Sequence, residues 1–115
     1  MRVGQALEFA VVEKMKSLQP GRYGVLEPDL RCPVQPMTAD TIVLVPGCAF
    51  ARAGGRLGRG AGYYDRVIQA CRDAEGRPRF IGVGFESQVI EAVLMKSLDM
   101  RTDGGVTEIG LFEVE

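Results

Sequence analysis

Few folds admit the run Thr41-Ile42-Val43-Leu44-Val45, a continuous β-branched and leucine stretch closed by Pro46-Gly47. Five such residues are too short for a buried helix. Without polar alternation they read as a strand covered on both faces in a parallel sheet. A second apolar stretch, Phe80 to Val83, reads as another strand. Between them Tyr63, Tyr64, Val67, Ile68 and Cys71 form one apolar stripe at helical period. Strand, loop, helix, strand is a βαβ unit, which predicts α/β architecture with a mainly parallel central sheet flanked by helices in three layers. Leu7 to Val12 predicts a further strand, Pro20 to Pro36 a loop, Ser87 to Leu94 a short amphipathic helix, and Val106 to Val114 a closing strand.

At 115 residues the chain fits one α/β domain, 1–115. Lys and Arg total 14 against 15 acids, so bulk attraction to nucleic acid or anionic membrane is not expected. No apolar run is long enough to span a bilayer. The three cysteines, Cys32, Cys48 and Cys71, share no CxxC spacing and fit a reducing, cytoplasmic setting. Histidine is absent, so neither a Ser-His-Asp triad nor a His-ligated metal can form within the chain.

The most informative segment is Gly54 to Asp65. Glycines between a buried strand and a helix N-terminus let backbone amides and the positive dipole end converge on one spot, an anion site. Arg52, Arg56, Arg59 and Arg66 surround the loop, against the single acid Asp65. Guanidinium forks match phosphate oxygens in pairs, and a carboxylate beside bound phosphates commonly holds Mg²⁺. The opposing reading is a plain turn with solvated arginines. The loop fits neither GxGxxG nor GxxxxGK[ST], so the pattern alone leaves the two readings level. Tyr63 and Tyr64 open the apolar stripe, which favours core over ligand contact.

Val45-Pro46-Gly47-Cys48-Ala49-Phe50 followed by Gly55-Arg56-Leu57-Gly58-Arg59-Gly60-Ala61-Gly62-Tyr63-Tyr64-Asp65-Arg66 resembles the signature of the 5-formyltetrahydrofolate cyclo-ligases. The likeness extends in register to Leu7-Glu8-Phe9, Gly24 to Pro28, Ile81 to Gln88, and Asp99 with Asp103 to Glu108. It implies ATP- and Mg²⁺-dependent closure of 5-formyltetrahydrofolate to 5,10-methenyltetrahydrofolate, with release of ADP and phosphate. Carried over by position, Gly55, Arg56, Leu57, Gly58, Arg59, Gly60, Ala61, Gly62, Tyr63 and Tyr64 would line the nucleotide. Arg56 and Arg59 would act on the transferring phosphoryl group, and Asp65 would hold the metal. Phe50 and Tyr64 would meet the folate, with Phe85 a further aromatic near either ring, while an aromatic beside a strand end is commonly core. The resemblance also places Met1 just ahead of the family's matching strand. The family's N-terminal segment, with an early lysine and arginine, is therefore expected to be missing. Two outcomes follow: a cyclo-ligase, or a nucleotide-binding relative or fragment without folate turnover. In either case, self-association through exposed edges is expected.

Overall fold

The computed structural model describes residues 2–3, 7–21, 24–29, 31–34, 36–58, 62–71, 76–95 and 100–114. It divides into two compact units, Met1–Met37 and Thr38–Glu115. In the first, β1 (Arg2–Val3) pairs antiparallel with β2 (Leu7–Glu8). The predicted strand from Leu7 continues only as a bridge between Ala10 and Val34. The segment expected to be loop contains structure. β3 (Leu18–Pro20) pairs antiparallel with β4 (Leu26–Pro28), and Gly24 turns between them at φ 72°. Prolines at the two strand ends hid this hairpin from periodicity. Pro28 and Cys32 are the first unit's buried residues among those described.

The second unit holds the central sheet. β5 (Ile42–Val45) and β8 (Arg79–Val83) are parallel neighbours joined through α1 (Tyr63–Cys71), the predicted βαβ unit. β10 (Gly104–Val106) adds a parallel strand and β11 (Leu111–Glu113) an antiparallel one, giving the order β11-β10-β8-β5. The α/β class and the mainly parallel sheet hold, and α1 is the one α-helix among the described residues. The single closing strand becomes a hairpin, its turn closed by Thr107 N donating to Gly110 O at 3.0 Å. The short helix expected over 87–94 is instead a 3-10 turn, Glu86–Gln88, and β9 (Val89–Ile90). β-branched Val89 and Ile90 favour the extended form.

The core of this unit is Val43, Val45, Phe50, Ala51, Val67, Ile68, Phe80 and Ile81. Each buried Val or Ile stabilises it by about 1.5–3 kcal/mol. β5 departs from the expectation of two covered faces. Val43 and Val45 are buried, but Ile42 and Leu44 are 61% and 60% exposed. The same face carries exposed Val83 and Leu111.

A second, smaller sheet has the order β7-β6-β9, from β6 (Ala49–Ala51) and β7 (Arg56–Leu57) with β9. Its Phe50 ring lies against the backbone of the central sheet. A Cβ at Gly82 would stand 2.7 Å from the ring, and one at Gly84 2.8 Å. Glycine is required at both positions by this close approach.

Candidate functional site

Site geometry begins at Arg56, the first residue of β7, which is only 7% exposed. Its Nη1 donates to the Pro46 carbonyl at 2.8 Å, just beyond the end of β5, and its Nη2 to Asp65 Oδ1 at 3.4 Å. The guanidinium also lies 5.8 Å from the centroid of the Tyr64 ring. Room for it comes from glycines: a Cβ at Gly47 would meet Arg56 Cγ at 3.0 Å, and one at Gly58 would meet Nη1 at 2.9 Å. Burying a guanidinium is costly without an anion and filled hydrogen bonds. Asp65 supplies the anion, but Arg56 Nε is buried and has no acceptor among the described residues. An unmet buried donor costs about 1–3 kcal/mol.

Asp65 sits in the first turn of α1, where the helix dipole favours a carboxylate by about 0.3–1 kcal/mol. Gly62, at φ 73°, caps the helix by accepting from Arg66 N at 3.0 Å. Both described bonds to Asp65 fall on Oδ1, since the Met100 amide donates there at 3.0 Å as well. Burial pushes the Tyr64 phenol above its ordinary range, opposed by the positive charge of Arg56. Tyr64 therefore stays a neutral hydroxyl at physiological pH.

The glycine-rich segment divides in two. Its first half is a tight hairpin turn whose backbone groups are already used. Gly54 N donates to Ala51 O and Ala51 N to Gly55 O, each at 2.9 Å. Gly54 O accepts from Thr102 N at 3.0 Å, and Ala53 O from Arg101 Nη1 at 3.0 Å. Gly54 needs its φ of 101°, and a Cβ there would lie 2.9 Å from Thr102 O. Of the second half, Gly58 and Gly62 are described, with Gly62 opening α1. Arg59, Gly60 and Ala61 lie outside the described residues.

Among the remaining predicted residues, Gly55 is buried in the turn and Leu57 is half-exposed. Tyr63 is covered by Arg66, 5.0 Å from its centroid. Arg56, Tyr64 and Asp65 come together, whereas Phe50 is 5% exposed and packs under Gly47, Gly82 and Gly84.

Sequence reasoning missed Gln88. Its Oε1 accepts from Phe85 N at 2.8 Å, and its Nε2 reaches the Gly47 and Cys48 carbonyls at 3.3 Å each. The three-residue spacing from Phe85 to Gln88 is a capping signal that a helix reading of this stretch obscured. Asp103 proves to be a fastener: it accepts from Phe80 N at 2.8 Å and from Arg77 Nη2 at 2.6 Å, joining the starts of β8 and β10.

Comparison with known proteins decides the family. The model of the 5-formyltetrahydrofolate cyclo-ligase family matches residues 1–108. The chain belongs to the 5-formyltetrahydrofolate cyclo-ligase family. The cyclo-ligase of Escherichia coli K12 is 28% identical over 93% of this chain and 58% of its own length. The mitochondrial cyclo-ligase of Arabidopsis thaliana is 27% identical over 94% of this chain and 42% of its own. The NMR structure of Aquifex aeolicus 5,10-methenyltetrahydrofolate synthetase superimposes with a TM-score of 0.76 at 28% identity, covering 97% of this chain and 55% of that one. The chain thus spans about half the length of the cyclo-ligases it matches.

Proposed function

We propose that this chain carries the nucleotide site of an ATP- and Mg²⁺-dependent 5-formyltetrahydrofolate cyclo-ligase. The observation that supports it best is the buried Arg56 Nε, an orphaned donor beside a helix N-terminus. Such a donor suits a phosphate oxygen. Gly58 and Gly62, the first amides of α1, Tyr63 and Tyr64 line the triphosphate. Gly55 and Leu57 support the turn, and Arg59, Gly60 and Ala61 join the lining by their place in the motif. Asp65 fits magnesium shared with phosphates. Among the described residues no cluster of three or more acids, cysteines or histidines forms a protein-only cage. Magnesium commonly takes one or two carboxylates and completes its shell with phosphate and water. When bound, it supplies charge neutralisation on the phosphates.

The chemistry asks little of proton-transfer groups. The formyl oxygen of the folate takes the γ-phosphoryl group, releasing ADP. N10 then attacks the formyl carbon and gives up its proton to solvent or to the departing phosphate, the carbon–oxygen bond breaks, and phosphate leaves. Phosphoryl transfer is governed by positioning and charge neutralisation, which Arg56, Arg59 and the amides provide. Tyr64, half-buried beside Arg56, is the residue we place toward the folate. Phe50 serves from beneath, setting the height of Gly47. The setting we propose is the cytoplasm, in keeping with three cysteines that share no CxxC spacing. Among the described residues no helix is long and apolar enough to cross a membrane. We also propose self-association through the edges β5 and β11, next to the apolar face of Ile42, Leu44 and Leu111. Sedimentation as a monomer at micromolar concentration rejects that part.

Formation of the methenyl product, followed by its ultraviolet absorbance with MgATP and 5-formyltetrahydrofolate, tests the activity. No product from cooperatively folded protein overturns it for this chain. A second reading, MgATP binding without folate turnover, is favoured by the chain's spanning about half of its relatives' length. MgATP then raises the melting temperature while no product forms.

A further inference from the structure

The strands β5, β8 and β10 are parallel, so the turns that follow them, 46–48, 84–86 and 107–110, gather at one end of the sheet. Ligands of open α/β sheets bind at this carboxyl end. Arg56 belongs to it through its bond to Pro46 O. So does Phe85, whose ring lies outside the core: it is 67% exposed, against 5% for Phe50. Ile109, on the neighbouring turn, is 75% exposed. The two turns are joined by Thr107 Oγ1 to Glu86 Oε2 at 2.8 Å, by Glu86 N to Glu108 Oε1 at 2.7 Å, and by Gly84 N to Val106 O at 3.2 Å. The backbone under Phe85 is fixed as well, because Gln88 accepts its N–H and ties the same turn to Gly47 and Cys48. Gly47 is also the residue against which Arg56 packs. The exposed ring is thus carried on a braced turn, connected through Gln88 and Gly47 to the buried guanidinium.

A single exposed aromatic needs no explanation. An exposed aromatic and an exposed isoleucine on braced, adjoining turns, at the ligand-binding end of a parallel sheet, do. We infer that Phe85, with Ile109 on the adjoining turn, is the stacking platform for the planar heteroaromatic ring of a ligand, either the nucleotide whose phosphates lie at Arg56 and the start of α1 or the substrate bound next to them. The inference rests on the nucleotide and folate reading above. Two rings share the required chemistry, the adenine of ATP and the pterin of the folate. A fixed backbone lowers the ordering cost of stacking, which is how a preorganised surface gains affinity.

Calorimetric titration of the 115-residue chain separates the possibilities. The probes are MgATP, 5-formyltetrahydrofolate, and magnesium tripolyphosphate, which has the anionic end and no ring. Phe85→Ala is expected to weaken one of the two ring-bearing ligands roughly tenfold, with Phe85→Tyr restoring affinity. Tripolyphosphate affinity and the melting temperature stay at the wild-type values. The ligand that weakens identifies the ring. Unchanged affinity for both ring-bearing ligands overturns the platform while leaving the proposed function intact. Equal weakening of tripolyphosphate overturns it too, by showing that Phe85 acts on the fold of the loop. A wild-type chain that binds none of the three removes the proposed function and the platform together.

Discussion

The two compact units each contain a short-range arginine–aspartate pair, and the pairs contrast. In Asp29–Arg31 the two residues are neighbours in one turn. Arg31 Nη2 lies 3.1 Å from Asp29 Oδ2, with side chains 88% and 14% exposed, so the pairs differ in the burial of the arginine and not of the aspartate. In Arg56–Asp65 they are nine residues apart, on a strand and a helix, at 3.4 Å, with side chains 5% and 17% exposed. The shorter contact is the weaker device. Water reaches the Arg31 guanidinium, and an ion pair with one solvated charge contributes little. The second pair is longer, yet neither charge has solvent to fall back on, so each depends on the other. Burial, more than distance, decides which pair organises its surroundings. Around Arg56 the organising extends to Pro46, Gly47, Gly58, Tyr64 and, through Asp65, the Met100 amide.

The sharpest way to break the contrast is to remove one partner from each pair. Arg56→Met leaves Asp65 largely buried without its cation and is expected to cost about 3–5 kcal/mol in urea unfolding. Arg56→Met with Asp65→Leu should recover a good part of that loss, because no buried charge is stranded. Arg31→Ala, by contrast, should lower the urea midpoint at pH 7 only slightly. An Arg56→Met cost as small as that of Arg31→Ala would show that the buried pair is held by nothing but proximity.

Glycine positions offer a second, smaller contrast. Gly58→Ala places a Cβ 2.9 Å from Arg56 Nη1, a group pinned by Pro46 and Asp65 and unable to swing aside. Overpacking of this kind costs about 1–3 kcal/mol. It should also lower the affinity for MgATP. At Gly24 a Cβ meets nothing within 4 Å among the described residues, so Gly24→Ala is expected to cost the left-handed backbone, about 1 kcal/mol. Thermal unfolding of the two variants with and without MgATP separates steric from conformational cost. Only Gly58→Ala should blunt the ligand response.

The same contrast explains what could be read from the sequence. The βαβ unit was legible because β5, α1 and β8 write their burial into local periodicity, down to buried Val67 and Ile68. The motif marked 54–65, and Arg56, Tyr64 and Asp65 do converge. Periodicity could not say that half the glycine loop is a hairpin, since its bonds to Arg101 and Thr102 come from residues 48 positions away. Nor could it tell Phe50 from Phe85. Both follow strand-like stretches, and only the approach of Gly82 and Gly84 to one ring settles which is core. Ile42 and Leu44 look buried in sequence because hydrophobicity records what a face can cover, and their exposure here belongs to tertiary context.

Tyr64 gives a pH test of the buried region. Its folded-state pKa is raised above 10.0 by burial, with Arg56 pulling the other way. Above about pH 10 the unfolded phenol ionises first, so the unfolded state holds fewer protons and stability falls as pH rises. Tyr64→Phe removes this slope. Urea midpoints between pH 8 and 11 should decline more steeply in the wild type than in Tyr64→Phe. Parallel declines would mean that burial does not hold the proton on this phenol.

The exposed region makes the opposite and smallest prediction, at the acidic end. The Arg31 side-chain hydrogen bond, with the Arg31 amide, holds the Asp29 carboxyl below its ordinary 3.8. A lowered folded-state pKa contributes stability that is present above pH 3.8 and lost as pH falls through the folded value. Asp29→Asn should therefore match the wild type more closely at pH 3 than at pH 6. The difference at pH 6 should shrink further in 1 M salt, because the Arg31 guanidinium is in solvent, where charges are screened over about 3 Å. The pair with the buried arginine offers the control: a Tm deficit of Asp65→Asn that salt leaves unchanged, beside an Asp29→Asn deficit that salt reduces, separates a carboxylate paired with a buried cation from one paired with a solvated cation.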